Sequence, residues 1–186
     1  MTATPLIVKL KKEFIKQFCS NCLVQGPKFE CPKCGFLTYC SQECLESHNH
    51  RFECSSALES VPERIRFVSI AMALKDRSSI HQMTSQAASL VKVTKVAEFV
   101  LTSLYVYLCM PCLEINEKSF IEIVHVMGTL RVNAFSISYK EDAIATGLYC
   151  PSNLINHQCG TNANVTPKTE AKFQEMLAIK DIEVGD

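Results

Sequence analysis

The sequence predicts an α+β fold with a small metal-bound module near its start, and three observations carry that reading. Eight cysteine and histidine side chains (Cys19, Cys22, Cys31, Cys34, Cys40, Cys44, His50 and Cys54) stand within thirty-six residues. Residues 62–130 are dominated by apolar side chains at helical spacing. Strand-like texture flanks them, in residues 5–18 and again from residue 131 onward.

Taken in order, the chain divides into four expected pieces: 1–17, 18–54, 55–130 and 131–186. In the first, "PLIVKLKKEFIKQF" (5–18) reads as an apolar, strand-like start running into the cysteine-rich stretch. Lys9, Lys11, Lys12 and Lys16 form a local basic cluster there, expected to be a solvated face.

The second piece reads C-x2-C-x8-C-x2-C-x5-C-x3-C-x5-H-x3-C. Thiolate and imidazole at such spacings are what tetrahedral zinc requires, and eight ligands fill two closed structural sites. A disulfide framework is the alternative. The concentration of cysteines in one stretch, a histidine in series and a start without a secretory signal speak against it. His48 could compete with His50 for metal. His50 is favoured because one helical turn separates it from Cys54, placing both on one face.

In the third piece Pro62 marks a helix start, with Ile65, Val68, Ile70, Met72 and Leu74 following. The polar interval "KDRSSIHQMTSQ" separates it from an apolar run at 94–110 that stops at Pro111. A further helix fits 117–130, with Asn116 as its cap. In the fourth piece "RVNAFSISY" alternates like a strand, and "GLYCPSNLINHQCGTNANV" is rich in turn residues. His81 and His125 are expected to be ordinary helix histidines. Cys109 and Cys112 form a single CxxC that cannot close a zinc site by itself.

Composition sets the remaining bounds. A chain of 186 residues with 47% hydrophobic and 20% charged residues is globular rather than disordered. Zero formal net charge offers no electrostatic case for direct nucleic-acid binding. Val96 to Met110 is too short for a membrane span and contains Glu98, so no membrane association is expected. Reduced thiols imply an intracellular setting, nucleus or cytoplasm.

The order C6-H-C, with Tyr39-Cys40-Ser41-Gln42-Glu43-Cys44 leading into His50-Arg51-Phe52-Glu53-Cys54, resembles the MYND zinc finger. The resemblance implies a cross-braced arrangement, Cys19, Cys22, Cys40 and Cys44 on one zinc and Cys31, Cys34, His50 and Cys54 on the other. Spacing alone equally allows sequential pairing. The gap from Cys44 to His50 is shorter than the commonest form and lacks its usual tryptophan. In that family the finger docks proline-containing peptides.

Further along, Asn156-His157-Gln158-Cys159 with Asn162 resembles the N-H-S-C-x-P-N signature of SET-domain lysine methyltransferases. Asn133-Ala134-Phe135, Gly147-Leu148-Tyr149 and "LAIKDIEVGD" each resemble a segment of the SET-and-MYND (SMYD) family, in the family's order. That resemblance implies a SET β-core and methyl transfer from S-adenosylmethionine to a lysine of a histone-type protein substrate. Asn133, Asn156 and His157 would contact the cofactor. The family's Gly-rich hairpin has no counterpart before Pro5. The strand carrying its catalytic tyrosine is not found before Asp186, and Gly160-Thr161 departs from the pattern. An incomplete core follows as an expectation, binding S-adenosylmethionine weakly or not at all. Two Zn2+ ions are the cofactors expected with most support.

Overall fold

The computed structural model describes residues 2–3, 5–48, 50, 52–55, 58–110, 113–150, 152, 163–168 and 173–181. Apolar alternation near the start yields β1 (Thr2–Ala3) and β2 (Pro5–Leu10). Two short strands follow, β3 (Phe29–Glu30) and β4 (Thr38–Tyr39), then helix α1 (Gln42–Ser47). The helical region comprises α2 (Glu63–Met72), α3 (Ser78–Gln82), α4 (Ala87–Val93), α5 (Val96–Cys109) and α6 (Glu117–Asn133). Strands β5 (Phe135–Tyr139), β6 (Asp142–Tyr149), β7 (Ala163–Lys168) and β8 (Phe173–Ala178) complete the described chain.

Strand β6 is the organising element. It pairs antiparallel with β5 through Ile137↔Ala145 and with β2 through Val8↔Gly147 and Leu10↔Ala145. A second sheet has the order β1-β8-β7, and among the described residues β3 pairs with β4 alone. Strands β2 and β6 serve two cores. Leu10, Ile137, Ile144 and Tyr149 pack with Ile15, Phe18, Leu23, Leu37 and Tyr39 of the cysteine-rich segment. Ile7 and Leu148 pack instead with Phe67, Val68, Phe99, Val106, Ile123 and Leu130 of the helices. Each such side chain contributes roughly 1.5–3 kcal/mol when fully buried.

Helix α6 starts where its cap sets it. Asn116 Oδ1 accepts from Ser119 N at 3.0 Å, and Ser119 Oγ accepts from Asn116 N at 3.2 Å. These reciprocal bonds satisfy two N–H groups that helix geometry leaves without partners. Helix α6 passes close to the start of α4 because Gly128 has no side chain. A Cβ there would lie 2.5 Å from Ala87 N. The apolar run in α5 is only half used for packing. Phe99 and Val106 are buried, whereas Val96, Leu101, Leu104 and Leu108 are more than half exposed.

Several expectations change. Helix α6 continues through Asn133, so "RVN" belongs to its last turn and the strand begins at Phe135. The polar interval before α5 itself contains α3. Lys9 does not lie on a solvated basic face. It is 5% exposed, and its Nζ donates to Glu63 Oε2 at 3.0 Å, while the Lys12 backbone N donates to Glu63 Oε1 at 2.6 Å. Burial of a lysine is tolerated only with such a partner. No described helix is long and apolar enough to cross a membrane.

Candidate metal centre

Two knuckles begin the centre. Cys19 N donates to Val24 O at 2.9 Å and Leu23 N to Cys19 O at 2.9 Å, closing the first loop around Cys19 and Cys22. Leu23 takes φ 60°, a left-handed conformation uncommon for leucine. The second loop, Cys31 to Cys34, closes with Gly35 N to Cys31 O at 2.9 Å, and Gly35 has φ 63°. In both loops the residue after the second cysteine turns the chain back, so both sulfurs face one point.

The other half of each cluster comes from the segment after β4. Cys40 leaves β4, and Cys44 sits in the first turn of α1, where Ser41 Oγ caps the helix by accepting from Cys44 N at 3.2 Å. Helix α1 ends at Ser47, because His48 is extended at φ −76°, ψ 113°. His50 and Cys54 therefore do not share a helical face, as the spacing had suggested. A turn brings them together, with Glu53 N donating to His50 O at 3.1 Å.

The structure gathers Cys19, Cys22, Cys40 and Cys44 in one cluster and Cys31, Cys34, His50 and Cys54 in another, ligand atoms within 4.8 Å of one another. This is the cross-braced arrangement rather than the sequential one. Cys22 and Cys40 sulfurs are 3.4 Å apart, Cys40 and Cys44 3.6 Å, and Cys31 and Cys54 3.7 Å. His50 Nε2 lies 3.4 Å from Cys31 Sγ. A zinc–sulfur bond of about 2.3 Å gives a tetrahedral edge of about 3.8 Å. The spacings thus suit a shared ion and are far too long for disulfides.

The electrostatics agree. Burial pushes the Cys31 thiol up, but the Cys34 and Lys33 backbone N–H groups and the His50 ring outweigh it and bring it down to about 6. Burial, the Cys31 contact and the Cys34 charge push Cys54 up to about 12. Packed sulfurs of this kind resist ionising together, and a dication among them removes that resistance.

Residues 19–54 match the MYND finger family. This segment is a MYND finger. Its Cys/His clusters make it a zinc-binding module, and MYND fingers generally mediate protein–protein interactions. A search of curated proteins finds no match to the chain.

Around the MYND finger, the remaining candidates are less assembled. Asn133 is 8% exposed, and its Nδ2 donates to Thr129 O at 2.8 Å and Thr84 O at 2.7 Å. Both amide hydrogens are therefore spent on backbone, tying α6 to the segment before α4. Asn156, His157, Cys159 and Asn162 lie outside the described residues, as does Cys112. Among the described residues His81 and His125 stack at 5.2 Å beside Glu122 and join neither metal cluster.

The sequence placed Tyr39 in the cysteine motif but gave no role to its hydroxyl. Its ring is fully buried, and its hydroxyl lies 2.8 Å from His48 Nδ1 and 3.1 Å from His50 Nδ1. The available signal was a tyrosine in a packed knuckle segment, since a buried phenol almost always finds a polar partner. His48 joins neither cluster and meets Tyr39 instead.

Proposed function

We propose that this chain is a zinc-dependent protein-interaction module. Cys19, Cys22, Cys40 and Cys44 hold one Zn2+, and Cys31, Cys34, His50 and Cys54 hold the other. The observation that carries this reading is the cross-braced pair of clusters within a segment matching the MYND finger. Closed sites with four protein ligands serve structure and leave no open position for a reacting group. The zinc therefore holds the finger's recognition surface in shape.

The ligand class is an extended, proline-containing peptide. Two features support it. Strand β3 pairs with β4 and with no other strand among the described residues, so its outer edge is available for an added strand. Val24, an apolar side chain in the first knuckle, is 47% exposed. Isothermal titration of the zinc-loaded chain with proline-containing peptides tests the reading. Heat and chemical-shift changes confined to residues 24–30 are expected, and their loss on chelation with them. Absence of binding across a varied peptide set would overturn it.

A SMYD-type methyltransferase is the second reading. It is favoured by the pairing of Phe135 with Gly147, which joins the N-A-F and G-L-Y segments side by side in one sheet. The engaged amide of Asn133 weighs against its contact with S-adenosylmethionine. Calorimetry with S-adenosylmethionine separates the readings, and micromolar affinity would revive this one.

A further inference from the structure

We infer that Tyr39 is the positioning residue for the second zinc site, holding His50 through its hydroxyl while that hydroxyl is itself held by His48. The inference rests on the two-zinc reading and extends it to a residue outside the ligand set. Three observations carry it. First, the His50 ring is 4% exposed and presents Nε2 to the cluster, 3.4 Å from Cys31 Sγ. A neutral imidazole that ligates through Nε2 carries its proton on Nδ1. Second, that Nδ1 lies 3.1 Å from Tyr39 Oη, so the His50 Nδ1–H donates to the phenol oxygen. Third, the phenol hydrogen has its own acceptor, His48 Nδ1 at 2.8 Å.

The His48 backbone O lies farther from His50 Nδ1, at 3.4 Å, so the phenol oxygen is its nearer partner. His50 Nδ1–H donates to Tyr39, Tyr39 O–H donates to His48, and the His48 proton sits on Nε2. The reverse order would place the His50 proton on Nε2 and remove the lone pair that binds metal. The phenol thus remains a donor to His48 while accepting from His50. The backbone of Tyr39 is itself fixed, because Lys28 N donates to Tyr39 O at 2.7 Å and Phe29 pairs with it across β3–β4.

The location adds a second role. Tyr39 precedes Cys40, a ligand of the first cluster, while its hydroxyl orients a ligand of the second. One residue therefore spans both sites. Its hydroxyl acts only on the second, so removing the oxygen should separate the two affinities.

The test uses the full chain titrated with Co2+, whose visible bands distinguish a four-sulfur site from a three-sulfur, one-nitrogen site, followed by Zn2+ competition. Tyr39→Phe should weaken the sulfur–nitrogen site about 10–100-fold, the range for losing a group that orients a ligating histidine. The four-sulfur site should stay within about twofold, well below that range. His48→Ala should weaken the same site by less, since the phenol keeps its contact with His50. In the loaded wild type, 15N-edited spectra of the His50 ring should show a protonated Nδ1, slow to exchange, and faster exchange in Tyr39→Phe. Equal affinities in wild type and Tyr39→Phe, or a wild-type His50 protonated at Nε2, would overturn the inference. A wild type that binds fewer than two metal ions would instead overturn the two-zinc reading on which it rests.

Discussion

Glu53 Oε1 lies 2.8 Å from Arg66 Nη2, and their side chains are 1% and 3% exposed. The pair is also joined through Arg66 Nε and Glu53 Oε2 at 3.3 Å, and the guanidinium sits over the Phe36 ring at 5.8 Å. Among the described residues Arg66 Nη1 is buried with no hydrogen-bond partner. The residue before the last zinc ligand is thereby anchored to helix α2. Removing one member of a buried pair strands the other charge, at about 3–5 kcal/mol. Arg66→Met alone should destabilise by that amount in urea denaturation. Arg66→Met combined with Glu53→Gln should recover most of it. Equal losses in single and double variants would show that packing, not charge, holds the contact.

Metal removal should reach further than the finger. Cys31→Ser or Cys40→Ser takes one ligand from a closed site whose occupancy contributes on the order of 10 kcal/mol to folding. Because Ile15, Phe18 and Tyr39 share a core with Ile137 and Ile144, the loss should also loosen strands β5 and β6. Native mass spectrometry should count two zinc ions in the wild type and fewer in either variant. Hydrogen exchange should then rise at residues 135–149 as well as in the finger. Exchange confined to residues 19–54 would show the sheet to be independent.

The His81–His125 stack should make stability pH-dependent. Burial, followed by the neighbouring His81, lowers the His125 pKa from 6.5, with Glu122 opposing. Arg77, bonded to the same Glu122 at 2.7 Å, adds a further positive charge to this group. A base whose folded pKa is lowered binds fewer protons when folded than when unfolded. Its contribution is therefore full above about pH 6.5 and is lost as pH falls toward the folded value. Urea midpoints at pH 7.5 and 5.5 should differ more for the wild type than for His125→Gln. An equal difference would remove His125 from the acid response.

Gly128→Ala tests a close approach against a local preference. Alanine favours a helix interior over glycine by about 1 kcal/mol. At this position the new Cβ would meet Ala87 N at 2.5 Å and Ser85 Oγ at 2.7 Å. Ser85 could rotate away, but Ala87 N and Cα, at 2.5 and 2.8 Å, are backbone atoms that cannot. The substitution should therefore destabilise by about 1–3 kcal/mol in urea denaturation, in the range for overpacking. A more stable variant would show that α4 shifts away freely.

The parts legible in the sequence were those encoded over short spans. The ligand spacings and the Asn116 cap each involve groups a few residues apart, so pattern and geometry coincide. The extension of α6 past residue 130 was not legible, because "RVNAFSISY" alternates well enough to suit a strand. Asn133 holds the last turn of α6 in part through Thr84, forty-nine residues away. Lys9 read as solvated because its partner Glu63 lies fifty-four residues on. The His50–Cys54 step read as helical, yet His48 turns extended where Tyr39 claims its ring. In the first two cases the deciding partner is distant in the chain, and in the third it lies nine residues back, on the far side of α1.

Strand β2 completes its pairing only with residues 145–149, near the far end of the described chain. During synthesis the finger's eight ligands all emerge long before that partner does. At about 5–20 residues per second, some ninety residues of translation, or about 5–20 s, separate Cys54 from β6. Through that interval metal is the finger's main source of cohesion, since Ile137 and Ile144 have yet to leave the ribosome. Zinc bound during that interval holds the finger together until β6 arrives to close the sheet over it.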